Sequence, residues 1–196
     1  MILPIVAYGD PVLKKACEEI TKDYPQLVAL IDNMYETMNG AFGVGLAAPQ
    51  IGLPIRLFVI DTTPFSEDEE LTPEEQAALK DFKRTFINAK ITQEEGDEWA
   101  FNEGCLSIPD VREDVFRKPV ITIEYQDENF EYHSETFDGL IARVIQHEYD
   151  HIEGVLFTDK LSTLKKRLIK SKLLNIAKGK ISVDYRMRFP NQKKKR

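Results

Sequence analysis

The segment Gln146-His147-Glu148-Tyr149-Asp150-His151 constrains this chain more than any other. It holds His-Glu-x-x-His inside a helical pattern running from Asp138 to Ile152 and stopping at Gly154. On a helix, residues four apart sit one turn above each other, so both imidazoles can grip one cation without bending the backbone. At 100° per residue, Leu140, Val144, His147 and His151 fall on one stripe. The two histidines therefore continue an apolar row that faces a core, and burying them there is costly unless something coordinates or hydrogen-bonds them. Any fold for this chain must wrap its interior around this helix. Two of the chain's 3 histidines lie in it; the third, His133, sits in a predicted strand and reads as a surface residue.

Two histidines make an incomplete site. A catalytic zinc-like centre uses three protein ligands and keeps a position open for water. The third ligand is either a carboxylate downstream or a thiolate elsewhere. Downstream, Glu153 and Asp159 do not extend the histidine pattern of the metalloproteases. Upstream stands Cys105, one of 2 cysteines, preceded by Gly104 in Trp99-Ala-Phe-Asn-Glu-Gly-Cys-Leu-Ser-Ile-Pro109. Beside the incomplete histidine pair, a ligand role for Cys105 is the better reading. Cys17 reads as a core thiol. A Cys-His-His set suits Fe2+, Zn2+, Ni2+ or Co2+ by softness, and affinity order does not choose among them. A cation held there would lower the pKa of a water toward neutrality, and Glu148, off the ligand stripe, is placed to act as general acid–base.

The remaining pattern predicts an α+β fold of mixed, mostly antiparallel short strands packed around the central metal-binding helix, with a C-terminal helix. Helices are expected over Pro25–Met38 and Ser162–Ala177, with another starting at Thr72 inside an acidic, proline-punctuated excursion, residues 62–80. Strands are expected over Leu57–Asp61, Thr85–Ile91, Val120–Tyr125 and Tyr132–Phe137. Beyond Gly179 the chain reads as extended, with a disordered Lys193–Arg196 end. With 196 residues and 42% hydrophobic content it is long enough for a real core. No apolar run reaches the ~18 residues of a membrane span. The start lacks a basic leader, and two cysteines make no disulfide framework, so the expected location is cytoplasmic. Charge is uneven: residues 160–196 hold 14 Lys/Arg against one acid, and residues 1–159 hold 12 against 32. The acidic body argues against a general DNA binder, and any polyanion contact belongs to the C-terminal segment.

Three segments carry a resemblance to the peptide deformylase family: Gly43-Val-Gly-Leu-Ala-Ala-Pro-Gln50, Glu103-Gly-Cys-Leu-Ser107 and Gln146-His-Glu-Tyr-Asp-His151, in matching order and spacing. The resemblance implies a hydrolase acting on the N-terminal formyl-methionine of new polypeptides and releasing formate. Residues 1–160 would be its catalytic domain and 161–196 a basic helix and tail appended to it. It implies Cys105, His147 and His151 as ligands of one ion, Fe2+ in the cell. It gives Glu148, Gln50 and the Leu106 N–H the catalytic roles, the last two as donors to the formyl oxygen. Gly45 would pair its main chain with the substrate, and Glu103 would bridge to Arg117 behind the ligands. Leu140, Val144, Val44 and Phe101 would shape a slot for a methionine side chain, with Arg112 touching the peptide. Arg143 departs from the apolar residue many relatives carry; its stem is expected to wall the slot and its head to reach solvent. The C-terminal segment fits a ribosome contact. Two other readings compete: a His-Glu-x-x-His metallopeptidase, indifferent to Cys105, and a non-catalytic metal- or RNA-binding module.

Overall fold

The computed structural model describes residues 1–190. In chain order its elements are strand β1 (Ile5–Val6), helix α1 (Leu27–Gly40), strands β2 (Gly45–Ala47) and β3 (Leu57–Asp61), helix α2 (Pro73–Lys80), strands β4 (Lys83–Glu95), β5 (Trp99–Cys105), β6 (Ile108–Arg117), β7 (Val120–Gln126) and β8 (Tyr132–Phe137), helices α3 (Gly139–Ile152) and α4 (Thr163–Ala177), and strand β9 (Met187–Arg188). The strands pair as an antiparallel five-stranded sheet in the order β2-β3-β4-β7-β8, an antiparallel β5-β6 hairpin, and a parallel β1-β9 ribbon. This is the mixed, mostly antiparallel α+β arrangement that the sequence predicts.

β3 explains how the layers are organised. Its Leu57-Phe-Val-Ile run is apolar on both faces because both faces are covered. Phe58 and Ile60 point into a core shared with Ala142, Ile145 and Ile152 of α3. Leu57 and Val59 point the other way, into a core shared with Ile31, Met34 and Met38 of α1. A third core joins the hairpin residues Ile108, Val111 and Val115 to Ile169, Leu173 and Ile176 of α4. Apart from Ala142, each such side chain contributes about 1.5–3 kcal/mol when fully buried. The basic C-terminal helix is therefore seated on the hairpin that carries Cys105, with Leu164 and Leu168 left outward.

Helix ends follow the local chemistry. Thr72 and Glu75 form a reciprocal capping box at α2, and Ser162 caps α4. After α3 the chain turns at Gly154, at φ +73°, where a Cβ would lie 2.8 Å from the backbone of Lys14. Only glycine fits there.

The structure extends or corrects several expectations. β4 is far longer than the predicted Thr85–Ile91, and register shifts between Ile87 and Gln93 let it bend. The β5-β6 hairpin carries no strict alternation that would mark it as strand. His133 is half-buried rather than a free surface residue: its ring stacks on Tyr125 with centroids 5.1 Å apart, and Nε2 lies 3.0 Å from Asp127. The predicted tail Lys193–Arg196 lies outside the described residues. No helix among the described residues is long and apolar enough to cross a membrane.

Candidate metal centre and active site

α3 presents the two imidazoles one turn apart, with ring centroids 5.1 Å apart and the planes nearly perpendicular. β5 delivers Cys105 at its end, where the hairpin register breaks between Gly104 and Cys105. That irregularity aims the thiol across the sheet edge at the helix. One ligating atom from each of Cys105, His147 and His151 lies within 4.8 Å of the others. Cys105 Sγ is 3.4 Å from His151 Nε2. Residues 46 apart in the chain thus converge on one point.

The donor set fits a divalent transition ion. His147 Nδ1–H donates to Glu103 Oε2 at 2.9 Å, which fixes the tautomer and leaves Nε2 for a metal. Burial, aided by His147, holds His151 well below the ordinary histidine range, so its imidazole is neutral and keeps a ligating lone pair. Its other nitrogen, Nδ1, is buried without a hydrogen-bond partner among the described residues. One sulfur and two imidazole nitrogens meet the three-ligand requirement of a catalytic centre with an open position.

Glu148 flanks this centre. It is 4% exposed, and burial pushes its carboxyl up to about 7. Oε2 has no hydrogen-bond partner among the described residues. Gly45, on β2, passes so close that a Cβ there would lie 2.3 Å from Glu148 Oε1. Gln50 occupies a short turn after β2 and is 1% exposed. Its Oε1 accepts from the Ala47 N–H at 2.8 Å, which orients the amide. Its NH2 then points at Cys105 Sγ, 3.5 Å away, and Ser107 Oγ, 3.4 Å away. The side chain is tied down rather than solvated.

Behind the ligands lies a buried charge network. Glu103 accepts from Arg117 Nε at 2.7 Å and Nη2 at 2.9 Å, and from Arg143 Nη1 at 3.2 Å. Burial alone would raise the Glu103 carboxyl, but the bonds from Arg117 and His147 outweigh it and hold the group far below the usual carboxylate range. Arg117 also donates to Asp150 at 2.7 Å, a member sequence reasoning did not identify. Arg143 corrects an expectation, since its head does not reach solvent and the residue is 2% exposed. Its guanidinium donates to the carbonyls of Val115 and Trp99 and lies 4.4 Å over the Trp99 ring. Three acceptors and an aromatic face replace water there.

A cavity of about 530 Å³ opens onto the centre. Val44, Gly45, Phe101, Leu106, Arg112 and Val144 line it, together with Gln50, Cys105, His147 and Glu148. Arg112 is held beside it by Asn102, donating to its side-chain oxygen at 2.9 Å. Leu140 is not among the lining residues. It lies seven residues before His147, about 10 Å along the helix axis, and the buried Arg143 and Val144 take its place in the wall. Ser182, Val183, Asp184 and Tyr185 also line the cavity, which nothing in the sequence had suggested.

Comparison with known proteins gives the family. The family model for polypeptide deformylase matches residues 2–167, ending before the 182–185 wall. The chain is 69% identical over 196 residues to a peptide deformylase of Christiangramia forsetii and 71% identical over 196 residues to one of Flavobacterium johnsoniae, covering 100% of both chains in each case. Among solved structures, peptide deformylase of Thermus thermophilus superposes with a TM-score of 0.78 at 38% identity, covering 91% of this chain and 99% of that one. That of Legionella pneumophila gives 0.77 at 34% identity, covering 92% and 98%. The chain belongs to the polypeptide deformylase family.

Proposed function

We propose that this deformylase works through Glu148, Gln50 and the Leu106 N–H, around one divalent ion held by Cys105, His147 and His151. The enzyme removes the N-formyl group from nascent peptides, and the ion in the cell is Fe2+, with Zn2+, Ni2+ or Co2+ as substitutes. When bound, the ion acidifies a water molecule and polarises the formyl group. Glu148 takes the proton from the attacking water and delivers it to the departing amine nitrogen. A buried carboxyl near neutrality suits both transfers, and its unpartnered oxygen is free to make them. Negative charge grows on the formyl oxygen as water adds to the carbon. Gln50 NH2, already oriented by its bond from Ala47, and the Leu106 N–H are the donors that meet it. Collapse expels the peptide amine and leaves formate.

Val44, Phe101 and Val144 offer the apolar wall for the methionine side chain, whose flexible thioether suits such a slot. Gly45 lets the substrate backbone approach β2, and Arg112 flanks the peptide. The peptidase reading finds no support: downstream, Glu153 is 2.7 Å from Arg56, and Asp159 is engaged by Lys14 and the Leu156 N–H. Two unpaired cysteines and a nascent-chain substrate favour the cytoplasm. The basic, leucine-bearing outer face of α4 favours contact with the ribosome, which salt-sensitive cosedimentation would test.

The observation that carries this reading is the convergence of one thiol and two imidazoles beside a buried carboxyl with a free oxygen. Formate release from a formyl-Met dipeptide tests it. Glu148→Ala is expected to lose turnover while keeping its ion, and Cys105→Ser to lose the ion. Turnover in Glu148→Ala near the wild-type rate, or full metal content in Cys105→Ser, overturns the assignment.

A further inference from the structure

The C-terminal segment returns to the catalytic centre after α4. Its strand β9 pairs with β1, and the Ile5 and Ala7 N–H groups donate to the Arg186 and Arg188 carbonyls, each at 2.9 Å. Between α4 and that ribbon, residues 182–185 form one wall of the cavity. Tyr185 reaches furthest: its hydroxyl donates to the Leu106 carbonyl at 2.8 Å, across 79 residues of sequence. The next carbonyl, of Ser107, accepts from the Tyr8 N–H at 2.8 Å. Both chain ends thus fasten the loop that follows Cys105.

We infer that Tyr185 is a positioning residue for deformylation: by holding the Leu106 carbonyl it aims the Leu106 N–H at the formyl oxygen. Peptide planes are rigid, so only the two backbone rotations of Leu106 lie between its own N–H and its carbonyl. Cys105 anchors the plane on one side through its side chain. Tyr185 anchors the plane on the other. Release of the second anchor lets the Leu106 carbonyl turn to water and frees the donor to swing. A misaimed donor loses transition-state stabilisation without weakening the grip on the ground-state peptide.

This inference rests on Leu106 being a donor as proposed above. Tyr185→Phe tests it, because the variant keeps the ring packed beside Leu106 and removes only the hydroxyl. The expected result is a fall in kcat of about tenfold, since sub-ångström misplacement sits below the ~100-fold cost of a 1 Å error. KM for a formyl-Met dipeptide and metal content are expected to stay within twofold of wild type. A tetrahedral phosphorus mimic of the hydrated formyl group should bind the variant about tenfold more weakly, while the deformylated product binds equally. An unchanged kcat, a KM increase alone, or a rate loss matched by metal loss each overturns the inference. Glu148→Ala run alongside keeps the two readings apart: turnover in that variant refutes the site assignment, whatever the ratio between wild type and Tyr185→Phe.

Discussion

Arg117→Met probes the network that holds the ligands. The substitution keeps the buried stem but removes the guanidinium, which makes bonds of 2.7 and 2.9 Å to Glu103 and one of 2.7 Å to Asp150. Asp150 keeps Lys160 at 3.3 Å and is partly wet, so its loss is small. Glu103 is different, since its side chain is 3% exposed and cannot turn to water. Among the described residues it retains Arg143 at 3.2 Å and His147 at 2.9 Å. Breaking a buried pair typically costs about 3–5 kcal/mol, because one charge stays behind uncompensated. With Arg143 still facing Glu103, the lower end applies, about 3 kcal/mol. For a chain of this size that lowers Tm by roughly 6–12 °C. The measurement belongs on metal-free protein in chelator, since a bound ion adds its own stabilisation by mass action. Combining Glu103→Gln with Arg117→Met removes the stranded charge, so the double variant should be less destabilised than the sum of the singles. Metal affinity should fall about 10–100-fold in Arg117→Met, because Glu103 orients His147. A loss under ~1 kcal/mol, the value for an exposed pair, together with unchanged metal affinity, would refute the reasoning.

Gly45→Ala places a methyl 2.3 Å from Glu148 Oε1 and 2.7 Å from its Cγ. β2 is backed by β3 and cannot yield, so the carboxylate must move, and kcat should drop on the order of 100-fold with the ion retained; a rate within twofold of wild type in steady-state formate assays would show the contact to be soft. Cys17 supplies a pH test. Burial pushes its thiol up to about 11. The folded state therefore keeps a proton that the unfolded chain gives up near pH 9, so the contribution is complete below pH 9 and drains away as pH rises through 11. Urea titrations should show wild type losing up to ~2–3 kcal/mol over that window and Cys17→Ala losing less; parallel curves would exclude Cys17 as the cause.

Helices were legible because each writes a periodic record of what it faces, and β3 because a short continuous apolar run marks a strand covered on both faces. The α3 stripe announced its buried face, and the Ser162 and Thr72 caps announced where α4 and α2 begin. The β5-β6 hairpin was not legible as structure. Its inward positions are divided between the charge network, at Glu103 and Arg117, and the core under α4, at Val111 and Val115, so charged residues interrupt the apolar alternation that would mark a strand. Cys105 was legible only beside the incomplete histidine pair, which wants a third ligand; on its own it reads as an ordinary buried thiol. Arg143 was misjudged because a charged residue on a core-facing helix ordinarily snorkels. Three acceptors from β5 and β6 hold it inside, and they are contributed by residues 28 to 44 positions away, which no local pattern encodes.

The C-terminal wall was hidden for a different reason. Alternating charge in Asp184-Tyr-Arg-Met-Arg188 has the look of a solvated tail, and its exposed and half-buried residues do alternate. What the alternation conceals is its partner. β9 needs only two ladder positions with β1 to bring Tyr185 to the Leu106 loop, and so short a parallel pairing leaves almost no compositional trace. The basic charge of this region and its role beside the active site are separable properties. Lys166, Lys170 and Lys172 of α4 are exposed while Lys165 pairs with Glu113 of β6, whereas Tyr185 acts through one hydroxyl on the cavity side. A deletion that removes both at once would confuse partner binding with catalysis. Single-atom removal at Tyr185, with the helix left whole, separates them because it alters aim at the formyl oxygen and leaves the cationic face untouched.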